Sequence, residues 1–274
     1  MTAIDVVVVA YNSGDVIDRC LRAAEQVDGV ASVTVVDHSP TASAAATIHD
    51  PSNPGYGAGQ NRGRAVGNAL YVLLLNPDAE VDAAGVAAGV ALLDARTDVA
   101  MVQGVVESHD GAPERSAGNA LRPVHLWGRA LGLKRFLQFS PVRRMASRVP
   151  ALADHADRRP TTVTDVEALA AVAVLARRAA LDEVGGFDAE RYFLYGEDMD
   201  LCMRLRRAGW SLVAIPERWA AHISGASSAS SFTREVEWWR GTMAYARRWW
   251  PLRWRVQGEV AALLMRARLA LVRR

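Results

Sequence analysis

Apolar positions along this chain come first as short unbroken runs and then at helical spacing. Residues 4–10 form a β-branched run, "IDVVVVA", that ends in the polar turn "YNSGD". Residues 15–27 carry a helical pattern, and "SVTVVDHS" predicts a second strand ending at Asp37. "RAVGNA" predicts a short helix, "LYVLLLNPDAEV" a third strand stopping at Pro77, residues 83–95 an Ala-rich helix, and "VAMVQGVV" a further strand. Near-continuous Val, Ile and Leu runs separated by helices predict a mainly parallel sheet covered on both faces. The pattern loosens over 107–162, a Pro-, Gly-, Ser- and Arg-rich stretch whose "KRFLQFSPVRRMASR" reads as a basic amphipathic insertion. "VEALAAVAVLARRAAL" then resumes a core element. Leu201, Cys202, Leu205 and Ala208 stripe a helix that Gly209 can stop, and "WSLVAIP" predicts a late strand before a mostly helical end.

With 274 residues, half of them hydrophobic, the chain can build a sizeable core without staples. Cys20 and Cys202 form no metal or redox motif and fit a reducing compartment. No signal-peptide pattern opens the chain, and no apolar run approaches the roughly 20 residues needed to span a bilayer. Arginine almost wholly replaces lysine, with Lys134 the single exception, a composition typical of GC-rich bacterial genomes.

Charge is uneven. Residues 1–100 hold 5 basic and 12 acidic side chains, whereas residues 234–274 hold 10 and 3. That basic end also contains Trp238, Trp239, Trp249, Trp250 and Trp254, and its Val256, Val260, Leu263, Leu264 and Leu271 recur at helical spacing. The combination predicts an anionic membrane surface as partner rather than nucleic acid, set against an ordinary packed helical end with solvated arginines.

In open α/β sheets ligands bind beyond the carboxyl ends of the strands. Four such ends are polar here: the Ala10-Tyr11-Asn12 turn, Asp37-His38-Ser39, Asn76-Pro77-Asp78, and His222. Neither G-x-G-x-x-G nor a P-loop follows the first strand, which speaks against nicotinamide and triphosphate binding. Asp37 can accept a hydrogen bond from a nucleotide or simply cap its loop. The glycines of "NPGYGAGQNRG", Gly57 among them, admit a close ligand while Asn61 and Arg62 reach phosphate or base, or else they form a turn into a helix. Asp78 suits a hard cation or a turn cap, and His222 a ligand role or a satisfied interior. In "YFLYGEDMDLCMRLRRAGW", Glu197, Asp198 and Asp200 crowd the start of a helix, where carboxylates either cap or catalyse.

Taken in order, "VVVVAYN", the strand ending in Asp37, "NPGYGAGQNRG", "LLLNPDAEV", "GGFDAERYFLYGEDMDLCMRLRRAGW" and "HISGAS" resemble the family 2 glycosyltransferases over about residues 3–228, and most closely the bacterial rhamnosyltransferase type. The resemblance implies a GT-A fold, an inverting sugar transfer from a nucleoside diphosphate donor (dTDP- or UDP-linked), and Mg²⁺ or Mn²⁺. It implies a saccharide or polyprenyl-linked acceptor in cell-envelope synthesis, and a cytoplasmic enzyme lying on the inner face of the plasma membrane.

By the same resemblance Asp198 matches the general base with Glu197 beside it. Asp78 matches the metal-side acid and His222 a residue on metal or diphosphate, while Ser227 stands at a diphosphate or sugar position. Ala10, Tyr11, Asn12, Asp37, Gly57, Asn61, Arg62 and Asn76 fall at the nucleotide. Asp200 pairs with Arg204 at i,i+4, a structural role.

The expected organisation is a catalytic domain over 1–232 (nucleotide half 1–106, variable insertion 107–162, acceptor half 163–232) and a helical tail over 233–274. Departures include "DHSP" after the second strand and "ALAA" at 168–171 where Trp-x-Ser-Gly is usual. The latter makes a non-catalytic sugar-nucleotide-binding relative thinkable, although Asp78, Asp198 and His222 are retained. A nucleotidyltransferase on the same sheet would want a basic phosphate loop that "AYNSGDVI" lacks.

Overall fold

The computed structural model describes residues 3–108, 110–114, 116–132, 160–223 and 231–272. Its strands are β1 (Ile4–Ala10), β2 (Val30–Asp37), β3 (Ile48–His49), β4 (Tyr71–Leu75), β5 (Ala79–Val81), β6 (Val99–Ser108), β7 (Ala117–Gly118), β8 (Thr164–Asp165), β9 (Ala168–Leu169), β10 (Ala173–Arg177) and β11 (Ser211–His222). Its helices are α1 (Val16–Glu25), α2 (Tyr56–Arg64), α3 (Ala83–Ala95), α4 (Pro123–Ala130), α5 (Arg178–Glu183), α6 (Glu197–Arg207), α7 (Ser231–Trp249) and α8 (Leu252–Val272).

The main sheet runs β3-β2-β1-β4-β10-β6-β11-β5, with β8 paired to β11. β3, β2, β1 and β4 are mutually parallel; β10 lies antiparallel between β4 and β6, and β11 is parallel to β6. The strands that carry the polar termini therefore end on one edge. β1 and β4 are buried throughout, which explains why they read as unbroken apolar runs rather than alternating ones. One sheet face packs Ile17, Cys20, Val86 and Leu93 of α1 and α3; the other packs Leu181 of α5 and Leu201, Cys202 and Leu205 of α6. Both cysteines are free and buried.

Two predicted elements differ. "RAVGNA" is a turn, and the helix lies earlier, on the Gly-rich segment itself. A Cβ on Gly63 would stand 2.3 Å from Val7, and one on Gly59 2.8 Å from Val9, so these glycines let α2 settle against β1 and β2. The segment "VEALAAVAVLARRAAL" is three elements, β9, β10 and α5, not one. The predicted basic insertion around Lys134 lies outside the described residues.

The C-terminal helices do not hang free. Trp239, Met243, Tyr245, Ala246 and Trp250 of α7 and its end share a core with Leu126 and Ala130 of α4, Tyr192, and Ala261, Ala262 and Met265 of α8.

Candidate active site

The polar edge is assembled by backbone first. The His38 N–H donates to the Ala10 carbonyl (2.8 Å), and the Asn12 N–H to Ser39 Oγ (2.8 Å), tying the ends of β1 and β2 together. Asn12 sits at φ +50°, a left-handed conformation that Asn tolerates better than most residues, and Tyr11 is left exposed beside it. Asp37 is fully buried and accepts from the Ser39 N–H (2.8 Å) and the Ser43 N–H (2.7 Å), one on each oxygen. Burial works against its charge, but these hydrogen bonds outweigh it and hold the carboxyl below the usual range. Asp37 thus clamps its own loop.

Three residues expected at the nucleotide are engaged elsewhere. A Cβ on Gly57 would meet Phe187 at 2.8 Å, so this glycine serves helix packing. Asn61 donates to the Phe187 carbonyl (2.8 Å) and accepts from the Phe187 N–H (2.9 Å), fixing the turn before the acids. Arg62 pairs with Asp50 at 2.8 Å on the surface. The Asn76 backbone closes the turn to Asp78, its N–H donating to Val172 and its carbonyl accepting from Ala79.

Asp78 and His222 do come together. β11 pairs with β5 so that His222 faces Ala79, and the imidazole Nε2 lies 3.2 Å from Asp78 Oδ1. Nδ1 lies 2.8 Å from Glu114 Oε2. Burial favours the neutral ring, but the two flanking carboxylates prevail and push His222 up to about 9. Glu114 was not legible in the sequence: it reaches the site because residues 110–114 fold back along β6, with the Glu114 N–H donating to Val106.

A carboxylate facing an imidazole whose second nitrogen is held by another carboxylate is the arrangement that orients a metal-binding histidine. Asp78 offers an oxygen to a hard divalent cation that takes its remaining ligands from water and phosphate, and His222 can join it through Nε2 once that nitrogen gives up its proton. Among the described residues no three His, Cys, Asp or Glu side chains converge on one point. Ser227 lies outside the described residues.

The acids at the start of α6 divide by environment. Gly196 occupies the N-cap at φ +88°, and no side chain caps the helix. Of the two roles open to Glu197, capping and orienting, the structure leaves out capping. Instead it is buried, 5% exposed, and its Oε2 has no partner among the described residues. Burial first and the charge of Asp198 second drive it well above the ordinary carboxylate range. Asp198 is raised too, by burial, against the opposing hydrogen bonds of the Met199 N–H (2.7 Å) and the Ala171 backbone. A buried carboxyl and a half-buried one side by side resist double ionisation. Both carboxyls therefore hold a proton more tightly than exposed acids do, and Glu197 has no partner on Oε2 to offset its burial.

Asp200 is wholly buried and bound to Arg204 (2.7 Å), Trp249 Nε1 (2.8 Å), Tyr192 OH (3.2 Å) and Arg248 (3.1 Å), the structural role expected of it and more.

The two halves of the site meet around Tyr56. Its hydroxyl donates to the Ala171 carbonyl (2.8 Å) and accepts from Gln60 (3.0 Å). Burial, then Glu197, Asp198 and Asp78, all raise its pKa. The "ALAA" stretch that replaces Trp-x-Ser-Gly thus lies against Asp198 and Tyr56.

Known proteins share this fold and this family. Residues 2–241 match the profile described as glycosyltransferase-like family 2. A Mycobacterium tuberculosis protein named N-acetylglucosaminyl-diphospho-decaprenol L-rhamnosyltransferase is 38% identical over 120 residues, 37% of this chain and 36% of that protein. Rhamnosyltransferase WbbL of Escherichia coli K12 is 38% identical over 65 residues, 24% of each chain. The match thus spans about a third or less of either curated relative. The structure of GalNAc-T7 with UDP, GalNAc and Mn²⁺ superimposes with a TM-score of 0.60 at 13% identity, covering 92% of this chain and 49% of that one. The mannosyltransferase PcManGT from Pyrobaculum calidifontis, in complex with GDP-Man and Mn²⁺, gives 0.56 at 14% identity over 89% and 63%. At such identities the likeness shows the fold, which is GT-A. The profile match covers most of the chain, and the protein belongs to glycosyltransferase family 2.

Proposed function

We propose that this protein is an inverting glycosyltransferase that moves a sugar, rhamnose being the leading candidate, from a dTDP- or UDP-linked donor to a saccharide hydroxyl. The observation that carries the reading is the Glu197–Asp198 pair at the start of α6: two adjacent carboxyls whose affinities for a proton are both raised. Inversion needs a base to take the proton of the acceptor hydroxyl as it attacks the anomeric carbon. Asp198 is that base. Its raised affinity for protons suits it to the task better than an ordinary Asp. Glu197 tunes Asp198 by withholding a second charge.

The nucleotide lies along the Ala10–Asn12 turn and the Asp37 loop. Asp78 and His222 hold a divalent cation, Mg²⁺ or Mn²⁺, which when bound offsets charge on the departing diphosphate. The partial matches to rhamnosyltransferases support a polyprenyl-diphosphate-linked saccharide as acceptor.

An acceptor of that kind is carried on a membrane. Among the described residues no helix is long and apolar enough to cross one. α8, however, exposes Leu252, Val256, Val260, Leu263 and Leu264 along one stripe with Arg253 and Arg266 beside it, which supports peripheral docking on the anionic inner face. Truncating α8 would also strip Ala261, Ala262 and Met265 from the core. The cleaner test is Val260→Glu with Leu263→Glu, which should reduce sedimentation with anionic vesicles; unchanged sedimentation counts against docking by α8.

For the reaction itself, a panel of nucleotide sugars with Mg²⁺ or Mn²⁺ decides. Metal-dependent turnover of one sugar supports the proposal, and failure to bind any nucleotide defeats it.

A further inference from the structure

The first eight residues of β6 are buried, and Gln103 is the one polar side chain among them. Its amide nitrogen donates to the Ala170 carbonyl (3.0 Å) and the Ala173 carbonyl (2.7 Å), while its Oε1 has no partner among the described residues. An unpaired buried polar atom costs stability. The two carbonyls have other donors: Ala170 accepts from the Val172 N–H (2.8 Å) and Ala173 from Trp219 Nε1 (2.7 Å). A methionine of similar length would serve the core at least as well, so packing does not account for the amide.

What Gln103 does hold is one peptide unit beside the acids. The carbonyl of the Ala170–Ala171 peptide accepts from Gln103, and its N–H donates to Asp198. The next peptide is gripped from α2: the Tyr56 hydroxyl donates to the Ala171 carbonyl (2.8 Å), and Gln60 Nε2 donates to that hydroxyl (3.0 Å). Residues 168–171, Ala-Leu-Ala-Ala, have no polar side chain with which to hold themselves. The aim of the Ala171 N–H is therefore set from outside, by Gln103 and Tyr56.

Tyr56 reaches the acids by a second route. Its own N–H donates to the Phe193 carbonyl (3.1 Å) in the turn that leads into α6, and its ring meets Phe187 edge-on at 5.9 Å. That turn is also held against α7, where a Cβ on Gly241 would meet the Tyr195 carbonyl oxygen. Asp198 is thus braced through Ala171 and through its own turn, and Tyr56 is common to both.

We infer that Gln103 and Tyr56 are positioning residues for the transfer base: gripping the peptides on either side of Ala171, they aim its N–H at Asp198 and hold that carboxylate in its working direction. This rests on the reading of Asp198 as the base and adds what orients it. Without the Ala171 donation, one of the hydrogen bonds opposing burial at Asp198 is lost and its proton affinity rises further. The ionisable groups that sense the Asp198 charge are Glu197 beside it, Cys202 one turn along α6 and Tyr56 across on α2. Burial drives the Cys202 thiol up to about 12 and the Tyr56 hydroxyl upward as well, so of these only Glu197 titrates in the range of Asp198.

The test uses Gln103→Met and Tyr56→Phe in the full chain, with melting temperature verifying that each is folded. Carbon-13 NMR of the aspartate carboxyls needs no ligand, and Asp198→Asn identifies the signal. Asp198 should titrate at higher pH in both variants; an unchanged midpoint in either overturns the inference. With dTDP-rhamnose as donor and N-acetylglucosaminyl diphosphate on a short prenyl chain as acceptor, turnover should fall about 10–100-fold in each. The donor KM should stay within about threefold of wild type, since the loss falls on the transition state. Turnover at the wild-type level in either folded variant, or a KM that rises in step with the loss, overturns the inference. Added to Asp198→Asn, each substitution should cost nothing more, because both act through the same carboxylate; a full further loss overturns it too. Asp198→Asn that keeps its turnover, or wild type that turns over no nucleotide sugar, defeats the transfer reading instead, and the titration still decides the positioning.

Discussion

Asp200 and Asp198 are two positions apart, and opposite consequences are expected when each is changed. Asp200 joins α6 to α7 inside the protein: its oxygens take Arg204 Nε, Trp249 Nε1, Tyr192 OH and Arg248 Nη1 at 2.7–3.2 Å, with no exposure to water. Arg204 also donates to the Val184 carbonyl, and its side chain is only 15% exposed, so it cannot swing into solvent when its partner is removed. Removing one member of a buried pair costs about 3–5 kcal/mol, because the other charge is left uncompensated. Asp200→Asn keeps an acceptor for Trp249 and Tyr192 but not the charge, and should fall near 3 kcal/mol on that scale; Asp200→Ala should fall near 5 kcal/mol. At roughly 2–4 °C per kcal/mol for a chain approaching this size, the melting temperature drops by about 6–20 °C. Differential scanning calorimetry measures it, with nucleotide binding followed below the transition. A loss under about 1 kcal/mol, the scale of an exposed pair, would refute the assignment of Asp200 as an internal staple.

The remaining predictions concern the same edge. Gly241→Ala in mid-helix would ordinarily stabilise by about 1 kcal/mol; here the new Cβ meets the Tyr195 carbonyl, so thermal melts should show destabilisation of about 1–3 kcal/mol together with loss of turnover, and a gain in stability would contradict the packing. Glu114→Gln removes the acid that orients His222 and should weaken Mn²⁺ binding about 10–100-fold, read from the free-ion signal in electron paramagnetic resonance; unchanged affinity would exclude Glu114 from the metal side. For pH, Asp198 must be ionised to act and its pKa is raised, so activity should climb with pH through a limb lying above ~4, where an ordinary Asp titrates. Glu197→Gln keeps a neutral neighbour beside Asp198 and should leave that limb in place. Because the folded pKa of Glu197 is raised, wild-type stability should also decline as pH rises from the normal carboxylate range through about 8, and Glu197→Gln should flatten that decline.

The sequence carried the strands and their polar ends well, since β1, β4 and β6 are buried along nearly all their length, and β2 along its second half, as only a covered sheet accommodates. It also carried the separation of Asp200 from Asp198, because i,i+4 spacing to Arg204 is a local property. What it did not carry was set by distance along the chain. The glycines of α2 read as a ligand loop, yet their purpose is contact with Val7, Val9 and Phe187, partners fixed only by folding. Asn61 is engaged with residue 187, and Glu114 with His222 across 108 positions. Likewise the basic end read as a tail, although its tryptophans cover α4 and its Trp249 reaches back to Asp200. No periodicity announces such contacts.

The central claim is that the charge on Asp198, and not merely its shape, performs the transfer. Asp198→Asn keeps the size and the Met199 N–H contact while removing the base. With the preferred nucleotide sugar and acceptor, the account predicts a fall in turnover of about 10²–10⁴-fold, with nucleotide affinity and melting temperature held at or above wild type. Turnover within a few-fold of wild type would contradict it.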